Sequence, residues 1–301
     1  ALRAFMSETG LGGFILMGDN IPETPEELNT LTDALVVDPE LPPLVAIDEE
    51  GGLVKRLPWD NLPGARTLRN EPPEATLEAF AARGTLLREG GVGVNFGVVA
   101  DYTDDPSSFI YPRTFGDTPE EAAARVQAAV EGEGDFVAST LKHFPGHGVS
   151  AGDSHTSLPT TDMGFDQWRE GAALPFEAGL DAGAELLMFG HLVFAAVDDP
   201  PASLSPNWYE VACDDLGFDG VTITDDLGML ADSGDPQYAD AATNATNALA
   251  AGADVVLLIA GLPEGGIAAV IDQVARNVEA GRSRKPASTR QQFASPSCAW
   301  N

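Results

Sequence analysis

The sequence predicts an α/β protein folded as a (β/α)8 barrel of the TIM type, and two observations support this prediction. Seven short apolar segments rich in β-branched residues alternate with segments of helical pattern along the 301 residues. Strands that are apolar on both faces and separated by helices are typical of a parallel sheet. Nearly every such strand also ends on a polar or charged residue. Because these ends recur along the whole chain, they favour a closed barrel over a doubly wound sheet.

The predicted strands are short continuous apolar runs bounded by glycine or acidic residues, a composition that favours strands over helices at this length. They span residues 13–17, 44–47, 92–99, 136–141, 185–189, 220–223 and 254–259. The polar residues at or near their ends are Asp19, Asp48, Asp101, His143, His191 and Asp225. Seven strands are one fewer than a complete barrel requires.

The predicted helices fill the intervals between the strands. One begins after Thr24, because Pro25 stands at the first helical position and Glu27 completes a capping box. The others cover residues 74–89, 119–130, 165–182, 209–216 and 244–251, after the end of a short helix at residues 2–8. We expect one catalytic domain over residues 1–280 and an irregular tail over residues 281–301, where all periodicity is lost.

The composition argues against several classes of partner. The chain has 47 acidic and 16 basic residues and a net charge of −31, which disfavours binding to nucleic acid or to an anionic membrane by bulk electrostatics. No apolar run is long enough to predict a membrane-spanning helix. The two cysteines, Cys213 and Cys298, lack the spacing of metal ligands. We interpret the acidic excess as a solvated surface.

The chemistry is concentrated in one segment that follows the fourth predicted strand. It reads Lys-His-Phe-Pro-Gly-His-Gly over residues 142–148 and Asp-Ser-His over residues 153–155, and it holds three of the four histidines. Its proline and glycines exclude helix and further ladder, so an irregular loop is predicted. A histidine-rich loop at the carboxyl end of a buried strand is typical of catalytic sites in α/β enzymes.

Four motifs together resemble the signature of family 3 glycoside hydrolases, in particular the NagZ-like β-N-acetylglucosaminidase branch. They are KHFPGHG with DSH, IDxEGG at residues 47–52, RTFG at residues 113–116 and TDDLGM at residues 224–229. The resemblance runs from about residue 11 to residue 259. It implies a TIM-type barrel that releases terminal β-N-acetylglucosamine from cell-wall (peptidoglycan-derived) fragments.

The resemblance also implies something about the two ends of the chain. In the family a strand precedes the region matching residues 2–8, so we expect the natural chain to begin upstream of Ala1. Family members continue after the last strand with a basic amphipathic helix that closes the barrel. The tail at residues 281–301 therefore has two interpretations, a truncated or frame-shifted end and a naturally disordered tail.

By this resemblance Asp225 is the nucleophile that attacks the anomeric carbon in a retaining mechanism. His155 is the general acid and base, and Asp153 orients its ring. Imidazole suits this task because it titrates near neutral pH. Two alternatives stay open on the residues alone: Asp225 caps the following helix, and residues 153–155 form an ordinary loop with a local Asx turn.

The resemblance implies a set of sugar-binding residues, and the set comprises Asp48, Arg56, Arg113, Lys142, His143 and Met229. His191 ends a strand and is expected to line the floor of the pocket, whereas His147 is expected to fix the geometry of the loop. The family often has Arg and Gln where this chain has Leu53 and Lys55. For each arginine the competing interpretation is a surface ion pair, given the acidic surroundings.

Three rival functions remain open. A phosphorylase on the same scaffold is compatible with a histidine acid/base, because imidazole does not repel phosphate. A metal-dependent barrel hydrolase is suggested by the spacing of His143 and His147, although no His-x-His pair opens the first strand. A non-catalytic sugar-binding barrel is the third. We expect a monomer that needs no cofactor or metal and acts on small carbohydrates, namely β-GlcNAc glycosides and muropeptides.

Overall fold

A computed structural model of the chain describes residues 2–150, 152, 154, 157–259 and 265–280. The chain forms two compact units. The first unit comprises Ala1–Val149 and Phe165–Leu187, and the second comprises Ser150–Gly164 and Met188–Asn301. The prediction of one catalytic domain over residues 1–280 stays a prediction, and the predicted tail at residues 281–301 lies outside the described residues.

The first unit contains four parallel strands that are neighbours in chain order. They are β1 (Gly13–Leu16), β2 (Leu44–Ile47), β3 (Val94–Val99) and β4 (Ala138–Phe144). All six residues of β3 and all seven of β4 are buried, as expected for parallel strands covered on both faces. The strand β4 ends three residues later than the sequence predicted, so Lys142 and His143 lie within it.

The helices of the first unit are α1 (Leu2–Thr9), α2 (Pro25–Leu35), α3 (Ala65–Leu68), α4 (Pro73–Glu89), α5 (Pro119–Glu133), α6 (Phe165–Glu170) and α7 (Ala173–Asp181). The predicted cap of α2 is confirmed, because the Glu27 amide donates to Thr24 Oγ1 at 3.2 Å. Thr118 caps α5 in the same way. The helix predicted over residues 165–182 is divided in two around Gly171, since glycine is a poor helix former.

A hydrophobic core packs the helices of the first unit on its sheet. Its buried members include Leu28 and Leu35 of α2, Ile47 of β2, and Leu57 from the loop after β2. Burial of each such side chain contributes roughly 1.5–3 kcal/mol relative to exposure. The loop after β2 is therefore anchored in the core at Leu57, within ten residues of the end of the strand.

The second unit contains the strand β8 (Val221–Asp226) paired in parallel with β9 (Val255–Leu257), and a short pair formed by β5 (Thr160–Thr161) and β7 (Val193–Phe194). The strand β6 (Leu186–Phe189) lies where the chain passes from the first unit to the second. The strand β8 extends through Asp225 and Asp226, beyond the predicted end at residue 223. The sequence analysis did not predict the short strands β5 and β7, each of which has only two residues.

The helices of the second unit are α8 (Pro206–Glu210), α9 (Leu227–Ala231), α10 (Ala241–Ala251) and α11 (Gly266–Glu279). The helix predicted over residues 209–216 is partly π-helical, at Val211–Asp215. The sequence analysis did not predict α11. The apolar face of this helix includes Val270, which is buried. Within the described residues, no helix has both the length and the apolar composition needed to cross a bilayer.

Candidate active site

Charged side chains of the first unit meet at the carboxyl ends of β2, β3 and β4. Asp48 and Glu50 follow β2, and Asp101 follows β3. Lys142 and His143 are among the last residues of β4. These strands are parallel neighbours, so their carboxyl ends lie at the same edge of the sheet. Three of the polar strand ends named in the sequence analysis, Asp48, Asp101 and His143, therefore lie at one edge of the first unit's sheet.

Lys142 is the centre of this cluster. Its Nζ lies 2.9 Å from Asp48 Oδ1 and 2.8 Å from Glu50 Oε1. Burial disfavours the charged ammonium, but the carboxylates of Asp48 and Glu50 outweigh burial and raise the pKa of Lys142. Lys142 is therefore a charged donor shared between two carboxylates.

Glu50 is bound by two cations. Arg113 donates from Nε to Oε2 at 3.0 Å and from Nη2 to Oε1 at 2.7 Å, a bidentate arrangement that fixes the plane of the carboxylate. Burial opposes ionisation of Glu50, but the charges of Lys142 and Arg113 lower its pKa to about 2. The side chain of Glu50 is only 5% exposed, so it acts as an internal counter-ion that orients both cations.

Asp48 and Arg56 form the more accessible edge of the cluster. Arg56 Nη2 lies 3.4 Å from Asp48 Oδ2, and the side chains are 25% and 16% exposed, respectively. Asp48 thus uses one oxygen for Lys142 and the other for Arg56. Because both side chains are partly exposed, this edge of the cluster is open to solvent.

His143 is oriented by a buried carboxylate. Its Nδ1 lies 2.6 Å from Asp101 Oδ2, and its Nε2 lies 3.4 Å from Arg113 Nη2. A guanidinium group only donates, so Nε2 presents its lone pair to Arg113 and Nδ1 carries the proton that binds Asp101. Burial opposes ionisation of Asp101, but the hydrogen bonds from the His143 ring and from the His147 backbone lower its pKa below the usual value.

Asp101 also holds the start of the KHFPGHG loop. It accepts the backbone N–H of His143 at 3.2 Å and that of His147 at 2.5 Å. The ring of His147 is buried and packs edge-on against Phe109, with ring centroids 4.7 Å apart. These contacts agree with the expectation that His147 fixes loop geometry.

The TDDLGM segment places two neighbouring acids of the second unit in different environments. Asp226 Oδ1 accepts the backbone N–H groups of Gly228 and Ile259, each at 2.9 Å, and so caps α9. Asp225 is half-buried and accepts the backbone N–H of Asp226 at 2.8 Å. The alternative that Asp225 caps the following helix is therefore wrong, because its neighbour does so. Burial raises the pKa of Asp226 above the usual value.

His191 supports the end of β8. Its Nε2 lies 2.8 Å from the backbone oxygen of Asp226, and its Nδ1 lies 2.7 Å from Ser203 Oγ. A carbonyl oxygen only accepts, so Nε2 donates to it. Met229 lies in α9 and is half-buried. Sugar contact by His191 and Met229 stays a prediction.

The predicted acid/base histidine and its partner, His155 and Asp153, lie outside the described residues. Their roles stay predictions. In the described part of the chain, no three histidine, cysteine or acidic side chains are placed to hold a metal ion.

Comparison with known proteins decides the family. The model of the glycosyl hydrolase family 3 N-terminal domain matches residues 1–291. The chain belongs to glycoside hydrolase family 3. This family has a TIM-barrel-like N-terminal domain, so membership confirms both the predicted fold class and the prediction of a glycoside hydrolase.

Two curated relatives of this family 3 chain carry the same name. A β-hexosaminidase from Methylococcus capsulatus is 32% identical over 297 residues, which cover 96% of this chain and 85% of that protein. A β-hexosaminidase from Pseudomonas aeruginosa is 34% identical over 263 residues, which cover 85% of this chain and 77% of that protein.

Solved structures of family 3 enzymes agree with the fold. The β-N-acetylglucosaminidase from Paenibacillus sp. str. FPU-7 matches with a TM-score of 0.87 and 32% identity over 97% of this chain. This chain spans 56% of the length of that Paenibacillus protein. NagZ from Neisseria gonorrhoeae, solved with N-trifluoroacetyl-D-glucosamine, matches with a TM-score of 0.76 and 27% identity over 96% of this chain and 88% of that one.

The structure of this family 3 chain brings together five of the predicted binding residues, namely Asp48, Arg56, Arg113, Lys142 and His143. Asp225, His191 and Met229 belong to the second unit. The sequence analysis missed the role of Glu50 as counter-ion. A signal was available, since residues two apart on an extended segment share a face and Glu50 lies two residues after Asp48.

Proposed function

We propose that this family 3 protein is a retaining exo-β-N-acetylglucosaminidase that releases terminal β-GlcNAc through a covalent glycosyl-enzyme intermediate. The observation that carries the proposal is the charged cluster in which Asp48 and Arg56 stay accessible while Glu50 holds Lys142 and Arg113. The donors and acceptors of such a cluster are already oriented, so binding of sugar hydroxyls costs little additional side-chain entropy. The names of the curated relatives support N-acetylhexosamine as the sugar.

In the proposed mechanism Asp225 attacks the anomeric carbon while His155 donates a proton to the departing glycosidic oxygen. The bond from carbon to the Asp225 carboxylate forms as the bond to the leaving oxygen breaks. In the second step His155 takes a proton from water, the water oxygen attacks the same carbon, and Asp225 leaves as a carboxylate. Asp153 orients the ring of His155 in both steps. The assignment of capping to Asp226 supports a chemical role for Asp225.

We further propose cell-wall (peptidoglycan-derived) fragments carrying β-GlcNAc as the substrate class. The resemblance to the NagZ-like branch supports this choice. A solved relative from Neisseria gonorrhoeae carries that name.

Hydrolysis of 4-nitrophenyl β-GlcNAc and β-glucoside by the wild type, Asp225→Ala and His155→Ala tests the proposal. Asp214 is an exposed acid of the same unit, so Asp214→Ala is the matched control. Turnover of the GlcNAc compound that is lost in Asp225→Ala but kept in Asp214→Ala supports the proposal. Absence of turnover by the folded wild type contradicts it, and a phosphate-dependent rate with a sugar-1-phosphate product favours the phosphorylase.

A further inference from the structure

Glu49 is a buried acid between two residues of the charged cluster, and it faces the other way. Asp48 and Glu50 both contact Lys142, whereas Glu49 is fully buried. Its Oε2 accepts the backbone N–H of Arg56 at 2.7 Å and that of Leu57 at 2.9 Å. The carboxyl group thus ties the end of β2 to a point seven residues further along the chain.

The segment that Glu49 closes is a tight loop. Gly51 and Gly52 have φ values of 78° and 66°, which glycine adopts at little cost. The Glu50 amide then donates to the Val54 carbonyl at 3.0 Å. From there the chain returns to Arg56, which is half-buried, and to Leu57, which is buried, and without Glu49 the backbone N–H groups of both residues would lose their acceptor. An unpaired buried backbone group costs as much as a lost hydrogen bond.

Glu49 is itself rigidly held. Its backbone N–H donates to Asn95 Oδ1 at 3.0 Å, and Asn95 Nδ2 donates to its carbonyl at 3.1 Å. Asn95 Nδ2 also lies 2.5 Å from Glu133 Oε1. Both main-chain groups of Glu49 are therefore used, and the side chain leaves a fixed backbone.

The second oxygen of Glu49 faces another acid. Asp60 binds Arg83 Nε at 2.8 Å, and this pair is fully buried. Burial and the neighbouring Asp60 raise the pKa of Glu49 to about 7. A protonated Glu49 can donate to Asp60 while Oε2 keeps its two backbone donors. A glutamine would reproduce this pattern, since its amide donates and its carbonyl accepts.

We propose that Glu49 is a positioning residue for sugar recognition, because its carboxyl oxygen holds the Gly51–Leu57 loop so that the Arg56 guanidinium meets Asp48. The kinetic consequence rests on the proposed function, since Arg56 and Asp48 are the proposed sugar-binding groups. The loop itself does not depend on that function. A group that shapes the binding edge alters KM more than kcat.

Kinetics of Glu49→Ala, Glu49→Gln and Glu49→Asp on 4-nitrophenyl β-GlcNAc test the proposal. Loss of two backbone hydrogen bonds is expected to raise KM about tenfold in Glu49→Ala with kcat changed less. Glu49→Gln is expected to restore the wild-type KM, and Glu49→Asp, one methylene shorter, to raise KM about threefold. A folded Glu49→Ala with wild-type KM overturns the proposal. If Glu49→Ala does not fold, the proposal is overturned by a folded Glu49→Asp protein that has the wild-type KM.

Trypsin cleavage provides a readout that needs no activity. Lys55 is exposed and Arg56 half-buried in the closed loop, so release of the loop exposes two cleavage points that mass spectrometry can locate. Cleavage after Lys55 or Arg56 should be faster in Glu49→Ala and Glu49→Asp than in the wild type and Glu49→Gln. Equal cleavage rates in all four proteins contradict the proposal. If the wild type has no glycosidase activity but Glu49→Ala is still cleaved faster than the wild type, the role of Glu49 in the loop is supported and only the proposed function is rejected.

Glu185→Ala is the matched control. Glu185 Oε2 also accepts a backbone N–H in the first unit, that of Ser139 at 2.8 Å, but near the amino end of β4. Its loss is expected to lower the melting temperature without altering KM or cleavage at Lys55. A rise in KM equal to that of Glu49→Ala means that general loosening of the unit explains both, which overturns the proposal.

Discussion

Lys142 and Glu50 form an ion pair of 2.8 Å in which the side chains are 3% and 5% exposed. Glu50 is bound at the same time by Arg113, and Lys142 by Asp48. Two cations and two carboxylates therefore neutralise one another at the carboxyl ends of the strands. Removing one member of such a buried group leaves an uncompensated charge, which costs far more than the loss of an exposed pair.

Glu50→Gln is accordingly expected to destabilise the protein by about 3 kcal/mol at neutral pH. The pKa of Glu50 is lowered from 4.5 to about 2, so its contribution is fully present above the unfolded value and is lost as pH falls through the folded value. Urea unfolding of wild type and variant should therefore differ most above pH 4.5 and converge toward pH 2. Glu120→Gln, an exposed acid, should show no difference, and a constant gap at all pH values would contradict the assignment.

Glu133→Gln should have the opposite pH dependence. Burial raises the pKa of Glu133 from 4.5 to about 7, so the acid contributes stability below the unfolded pKa and loses it as pH rises through the folded one. The variant cannot ionise, and the Ser139 hydroxyl can turn to accept from it. We expect Glu133→Gln to be more stable than the wild type at pH 8 by up to about 3 kcal/mol.

Thermal unfolding at pH 5 and pH 8 measures this effect. Glu131→Gln serves as control, because Glu131 lies on the same helix and is exposed. A Glu133→Gln protein that loses stability equally at both pH values would show that the charged form is the one the fold prefers.

Asp101→Asn should impair sugar binding through His143. In the wild type, both oxygens of Asp101 accept hydrogen bonds from His143 and His147. The asparagine amide replaces one of these acceptors with an N–H donor, so the ring of His143 loses its fixed tautomer and orientation. We expect kcat/KM to fall by about tenfold to a hundredfold, in line with losing a buried charge-assisted hydrogen bond. Nitrophenyl glycoside kinetics measure it, with Asp104→Asn, an exposed neighbour, as control. Unchanged kinetics in a folded Asp101→Asn protein would show that His143 needs no such orientation.

Asp225 and Asp226 should separate chemistry from stability. Loss of the cap in Asp226→Ala removes the acceptor of two backbone N–H groups and should cost about 1–2 kcal/mol. Asp225→Ala should instead abolish turnover, by more than about a thousandfold, with a smaller change in melting temperature. Calorimetry measures the stability of both variants, and glycoside kinetics measure their turnover. Loss of turnover in Asp226→Ala and loss of stability in Asp225→Ala would mean that Asp226 is the nucleophile and Asp225 the cap.

Much of the fold follows from local patterns in the chain. The strands of the first unit are apolar on both faces, and the cap at Thr24 is a local signal that needs no distant partner. Elements with weak local signals were missed or misplaced. The short strands β5 and β7 have two residues each, and β8 runs on through two aspartates that rarely favour strands.

The sequence by itself determined the family motifs, the order of the strands and the residue types at their ends. Only the tertiary structure decided what each of three consecutive acids does. Asp48 and Glu50 bind Lys142, whereas Glu49 turns to the amides of Arg56 and Leu57. Side chains alternate along an extended segment, but which partner waits on each face depends on the register of parallel strands that are distant in sequence. The sequence specifies the type of each residue, and the packing of distant strands determines which partner that residue binds.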